Sequence, residues 1–239
     1  MRPKPLFKRH RFSPEVILRA VRWYCRFGLS YRDVRDLLAE QDVEVDASTV
    51  YRWVQKFGPE FARLTRKERN WRGLDWHMDE TYIRVGGQWR NLWRAIDQSG
   101  QFVDCRLTAR RDAGAARAFL GQAIRDSGLY YPQRITTDKA LNYKKVIRER
   151  NYGVDRADRL VHVDRKYRNN RIESDHAALK KILRPMRGFK YLHSAKAALK
   201  GIEAVRTIRN GGVYNRPIGI QAEVRFINTM FGLANRTMT

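Results

Sequence analysis

Two ten-residue runs rich in aromatic and β-branched side chains, 76–85 and 88–97, are separated only by Gly86-Gly87. Paired glycines between such runs mark a two-residue turn with both residues at positive φ, so the middle of the chain must contain an antiparallel hairpin. A second turn at Gln98-Ser99-Gly100 leads into a third strand over 101–107. From Asp112 the period lengthens, and Ala116, Phe119, Leu120, Ala123 and Ile124 form a helical stripe that ends at Gly128. Short strand-like runs at 134–138 and 160–163 then alternate with helical patterns at 142–150 and 171–183. The order βββαβαβα predicts an α+β (mixed α/β) core, a mixed sheet flanked by helices.

Three carboxylates fall at telling places in that order. Asp79 lies inside the first strand, where an unpaired buried charge is costly; Asp138 ends the fourth; Glu173 opens the helix after the fifth. Brought to one rim, they offer hard oxygen ligands suited to Mg²⁺, and two such ions can assist an in-line displacement at phosphorus. Other acids compete for the role. Glu80 alternates to the opposite face of the strand from Asp79 and, like Asp175, reads as structural or supporting. Asp97 and Asp164 read first as turn caps and otherwise as acids supporting the site from behind. His77 shares the face of Asp79 and His176 lies one helical turn beyond Glu173; each reads first as a satisfied structural histidine, and each is placed to orient a ligand. The Trp and Tyr residues of the first two strands read as core.

Residues 1–70 predict a small helical domain with its linker. Ser13-Pro14-Glu15 caps a helix that runs to about Phe27, Ser30 with Asp33 caps a second, and a third starts near Asp46 or Ser48 and stops at Gly58-Pro59. With Val50, Trp53, Val54 and Phe57 facing inward, Ser48, Thr49, Tyr51, Arg52, Gln55 and Lys56 remain to meet DNA, as in the last helix of a helix-turn-helix. Lys4, Lys8, Arg9 and Arg11 stand as a flexible basic arm on the DNA backbone or in the minor groove, or as an unstructured solubilising tail. Residues 58–75 read as linker. Residues 71–210 form the predicted catalytic domain, including an amphipathic helix at 194–209, and 211–239 a tail whose apolar residues pack on the core or on another subunit.

Charge favours the same partner. The 239-residue chain carries a net charge of +24, distributed as +7 over 1–70, +3 over 71–140 and +14 over 141–239. An excess of this size attracts a polyanion, and nucleic acid is the expected one. Lys166, Arg168 and Arg171 precede Glu173, and Lys180, Lys181 and Arg184 follow it, as a group suited to substrate phosphates. The longest run without Asp, Glu, Lys or Arg is the ten residues Phe226 to Asn235, too short to span a membrane, and the first eleven residues lead into no apolar run. A cytoplasmic protein without membrane contact is expected. Cys25 and Cys105 read as buried reduced thiols.

The segments Trp76-His77-Met78-Asp79-Glu80-Thr81-Tyr82, Thr137-Asp138-Lys139-Ala140 and Lys166 through His176 resemble the DDE transposases of bacterial insertion sequences, most closely the IS6 family. The likeness covers nearly the whole chain, including Ser48 through Val54 and Gly188-Phe189-Lys190. It implies a retroviral-integrase-like RNase H core and a triad of Asp79, Asp138 and Glu173 holding Mg²⁺, with two ions expected and Mn²⁺ as a substitute. A basic residue seven positions after the glutamate is typical, and Lys180 stands there. The activity implied is binding of terminal inverted repeats on double-stranded DNA, exposure of a 3′-hydroxyl and strand transfer into target DNA. The resemblance also implies a replicative, cointegrate-forming outcome and a homodimer or larger synaptic assembly. Two rivals stand beside it: a helix-turn-helix regulator without catalysis, and an RNase H-like nuclease that cuts without joining.

Overall fold

A computed structural model describes residues 5–70, 73–128, 131–138, 141–164 and 170–233. The chain forms two compact units: Met1–Asn70 with Ile182–Met186 and His193–Thr239, and Trp71–Lys181 with Arg187–Leu192. The second is therefore inserted within the first.

In the first unit, α1 (Pro14–Phe27) begins at Ser13, whose side chain accepts from the Val16 amide, and α2 (Tyr31–Ala39) begins at a reciprocal Ser30–Asp33 capping box. The third helix, α3 (Ala47–Lys67), does not stop at Gly58-Pro59 but continues through both. The reason lies far along the chain. A Cβ on Gly58 would sit 2.6 Å from the Ala197 carbonyl oxygen, and one on Gly201 would sit 3.0 Å from the Gly58 Cα, so this glycine pair lets α3 cross α7 (Leu192–Arg209) backbone to backbone. Gly58 serves packing rather than termination, and Arg63, Arg66 and Lys67, expected in a linker, lie on the helix.

The last helix, α8 (Gly219–Met230), is tied to α1 by Glu223, which pairs with Arg22 at 3.3 Å and with Arg26. Phe231, wholly buried, packs against Phe61 and Phe7 with ring centroids 4.9 and 6.0 Å apart. The C-terminal apolar residues thus complete the core of the N-terminal helices. Cys25 is fully buried there and its thiol is pushed up by burial, whereas Cys105 in the second unit is only half-buried.

The second unit is built on β1 (Asp75–Val85), β2 (Gln88–Asp97), β3 (Phe102–Thr108), β4 (Arg134–Thr137) and β5 (Val161–Asp164) in the spatial order β3-β2-β1-β4-β5. The first three strands pair antiparallel and β4 and β5 join parallel, so the sheet is mixed, as the RNase H-like expectation requires. Gly86 and Gly87 turn the hairpin at φ +58° and +76°, values that L side chains rarely adopt. Two helices, α4 (Ala113–Ser127) and α5 (Leu141–Arg150), contribute Phe119, Leu120, Tyr143, Val146 and Ile147 to a core shared with Trp76, Met78 and Trp93 of the sheet. The remaining helix, α6 (Asn170–Leu183), buries Ile172 and Leu179 completely. The expected element order holds throughout. The strand aromatics divide, however: Trp76 and Trp93 are core, while Trp89 is 67% exposed and Tyr82 45% exposed near the hairpin tip. Among the described residues no helix is long and apolar enough to cross a membrane.

Candidate active site

The hairpin and the first parallel strand pair determine where the acids stand. Asp79 occupies the middle of β1, and β4 runs parallel beside it with His77 opposite Thr136. Asp138 lies just past the end of β4, and its charge acts on the Asp79 carboxyl. Glu173 lies in the first turn of α6. Asp79 is half-buried, with its side chain 25% exposed, whereas Asp138 and Glu173 are open to solvent.

Directly across the hairpin from Asp79 is Arg94 on β2. Opposed residues of an antiparallel pair share a face, so both side chains leave the sheet on one side. Arg94 is fully buried and its guanidinium grips Asp175 of α6 with two nitrogens, Nε at 3.1 Å and Nη2. The next residue, His176, is also buried and sets its Nδ1 3.7 Å from the Asp79 carboxylate. The helix that carries Glu173 is therefore tied to β2 through Asp175 and approaches Asp79 of β1 through His176.

On the other face of β1, Glu80 is buried and paired with Arg111, as strand alternation predicts. Asp97 accepts from the Ser99 amide, the Ser99 hydroxyl and the Gln101 amide at 2.7–2.8 Å, the turn cap expected of it. Asp164 is exposed at the end of β5. His162 of β5 shares a 2.9 Å hydrogen bond with the Thr137 hydroxyl and so steadies the strand end that delivers Asp138. Sequence reasoning missed Arg94 and His162. For Arg94 a signal was available, because a charge inside a strand-like run between Trp93 and Ala95 is as anomalous as Asp79.

Burial pushes the Asp79 carboxyl up to about 7; the Glu80 amide opposes the rise, and the charges of Glu80, Asp138 and Glu173 add to it. The three candidate acids thus share one electrostatic site. Among the described residues no three His, Cys, Asp or Glu side chains are grouped closely enough to hold a metal ion. All three candidate side chains are carboxylates, the donor type that hard divalent cations take. Lys180, two turns beyond Glu173, is exposed like it. Lys166 and Arg168 lie outside the described residues.

Of the α3 residues expected to face DNA, Ser48, Arg52 and Lys56 form one exposed line and Thr49 is half-exposed. Tyr51 packs edge-on against Tyr31 of α2, and Gln55 donates to the Ser194 carbonyl at 3.5 Å. The exposed stripe is thus narrower than the sequence suggested, because two of the six side chains have packing partners within the unit.

A family profile described as a DDE domain matches residues 73–212, more than half of the chain. The protein is a DDE enzyme of the transposase class, a polynucleotidyl transferase. Over 203 residues it is 39% identical to the transposase for the insertion sequence-like element IS431mec of Staphylococcus aureus (strain N315), across 83% of this chain and 86% of the relative. It is 38% identical, with the same coverage, to the transposase for insertion sequence element IS257 in transposon Tn4003 of S. aureus. The chain belongs to the IS6 family of insertion-sequence transposases. The catalytic core of HTLV-2 integrase, solved in complex with magnesium in a trimeric form, superposes with a TM-score of 0.44 at 18% identity over 65% of this chain and 98% of that one.

Proposed function

We propose that Asp79, Asp138 and Glu173 are the catalytic carboxylates of this transposase and that its substrate is the double-stranded end of an insertion sequence, joined by strand transfer to target DNA. The observation that carries the reading is the placement of Asp79, mid-strand, half-buried and opposite the buried Arg94 that grips the Glu173 helix, with a carboxyl raised by burial and further by the charges of Glu80, Asp138 and Glu173. Mg²⁺ bound by the three carboxylates, as two ions or replaced by Mn²⁺, supplies Lewis acidity toward an attacking oxygen and the scissile phosphate. The chain's own residues do the positioning. Arg94 and Asp175 hold α6 in register with β1, His176 steadies Asp79, and Lys180 on the solvent side of α6 meets substrate phosphate. Ser48, Thr49, Arg52 and Lys56 of α3 contact the terminal repeats, and two copies acting on paired ends make a synaptic assembly. Cointegrate formation is the outcome this reading expects.

The test incubates purified protein with labelled element-end duplex and a plasmid target, in Mg²⁺ or chelator, beside Glu173→Gln. Joined products that require Mg²⁺ and vanish in the variant are expected. Near-normal joining by Asp79→Asn, Asp138→Asn or Glu173→Gln would remove that residue from the site. Cutting without joining would leave only the hydrolytic half of the reading.

A further inference from the structure

Residues 7–12 of the basic N-terminal arm are docked on α3, while Lys4 lies outside the described residues. A 3₁₀ turn at Pro5–Phe7 places Phe7 parallel to Phe57 of α3, with ring centroids 5.0 Å apart, and Phe12 meets Trp53 edge-on at 5.3 Å. Between these two anchors His10 lies 5.5 Å from the Phe57 ring, and its Nε2 is 2.8 Å from the Lys56 ammonium. Burial and that ammonium hold the His10 pKa below its ordinary value, so the imidazole is neutral and accepts from Lys56. Residues 9–12 run alongside α3 and close a cleft of about 430 Å³ with it.

The cleft is lined by Arg9 and Arg11 of the arm and by Arg52 and Lys56 of the helix, all exposed. Glu44 and Asp46 also line it, leaving an excess of two positive charges. Arg52 is folded along its own helix, donating to the Ser48 carbonyl at 3.3 Å and to the Thr49 hydroxyl at 3.2 Å, so one wall is already ordered. Arg9 holds φ at +66°, a conformation that favours glycine, yet the position carries a long cation that reaches the cleft.

We infer that the cleft between the arm and α3 seats a backbone phosphate of duplex DNA beside the groove that α3 enters, with Arg9 and Arg11 as the arm's contribution. The inference rests on the reading of the first unit as the DNA-binding one and adds a contact made to backbone rather than to base. A docked arm fits that role better than a groove-probing one, because its aromatic anchors fix the two arginines relative to the helix before DNA arrives. The ordering cost is met on folding instead of on binding. Phosphate contacts orient a recognition helix without carrying sequence information.

The experiment measures binding of the full chain, by fluorescence anisotropy across a salt series, to a duplex bearing the element's terminal repeat and to a scrambled duplex. The double variant Arg9→Gly/Arg11→Ala keeps the positive φ accessible. It is expected to lose affinity by the same factor on both duplexes and to lower the slope of log affinity against log salt by about 0.9, the contribution of one phosphate contact. Arg9→Lys/Arg11→Lys should restore the slope, and an unmoved thermal midpoint shows that the fold is intact. Unchanged affinity and slope in the folded variant would overturn the seat, and so would a loss confined to the terminal-repeat duplex, which would put the arm on bases. If the unaltered protein binds both duplexes alike, α3 is not the reader, while the slope still decides the seat. If it binds neither, both readings fall.

Discussion

At the scale of single residues, the half-buried Asp79 makes the metal-free protein sensitive to pH in a defined direction. Its folded carboxyl, raised to about 7 from 3.8, keeps a proton that the unfolded chain releases between pH 4 and 7. Stability from this group therefore falls as pH rises through that window and is lowest above about 7. Asp79→Asn should raise the thermal midpoint at pH 8 and leave it unmoved at pH 4, with at most about 4 kcal/mol at stake before solvent screening reduces it. Adding Mg²⁺ at pH 8 should stabilise the unaltered protein and not the variant; equal shifts in both would detach Asp79 from the cation. Arg94 gives a second expectation. Removing a wholly buried guanidinium from Asp175 should cost about 3 to 5 kcal/mol. Arg94→Lys should retain part of that stability but lose strand transfer more than DNA binding, because a single ammonium cannot make the two-nitrogen grip that registers α6. Equal losses of joining and binding would make the pair purely structural. Asp79 was legible in the sequence because a charged residue inside a strand pattern stands out, whereas Asp138 and Glu173 were singled out by their places at a strand end and a helix start. Arg94 met the same criterion, but its partner lies 81 residues away on a different element and leaves no mark on local spacing.

Among elements, α3 shows a local signal overruled by a distant one. Gly58-Pro59 carries the ordinary features of a helix end, and the chain nevertheless stays helical to Lys67 because α7 packs against the glycine. Alanine at either crossing position would gain about 1 kcal/mol of helix propensity. It would also drive a Cβ to 2.6 Å from a backbone oxygen at position 58, or to 2.9 Å from the Cys25 sulfur at 201. Overpacking against backbone commonly costs about 1 to 3 kcal/mol and here must separate two helices, so Gly58→Ala should lower the thermal midpoint despite the better helix former. A rise would show that the crossing yields. Apart from α8, which the sequence showed only as an apolar tail, the elements elsewhere were closely readable: Ser13 and Ser30 cap as their sequences suggest, the Gly86-Gly87 turn forms, and the helical stripe from Ala116 ends at Gly128. In each of those cases cause and effect lie within a few residues of one another.

For the whole molecule, linear order and compactness divide the chain differently. The DDE-domain match ends at residue 212 and so includes α7, yet α7 and α8 belong to the compact unit begun by α1, α2 and α3. The first segment of the first unit ends at Asn70, but hydrophobic periodicity cannot reveal that Phe7 and Phe61 await Phe231, or that Arg22 and Arg26 await Glu223. Residues 1–70 excised alone are accordingly expected to melt without a cooperative transition in circular dichroism, while the full chain melts cooperatively. A sharp melt of the fragment would mean that the later helices are ornament. The same interruption sets an order during synthesis. The first three helices leave the ribosome early, but the partners that finish their core emerge only after the intervening catalytic segment, a delay of roughly ten seconds at bacterial elongation rates. A polypeptide released before that point would carry the α3 residues proposed to contact DNA without the core that supports them, so prematurely terminated copies should not compete with complete ones for the element's ends.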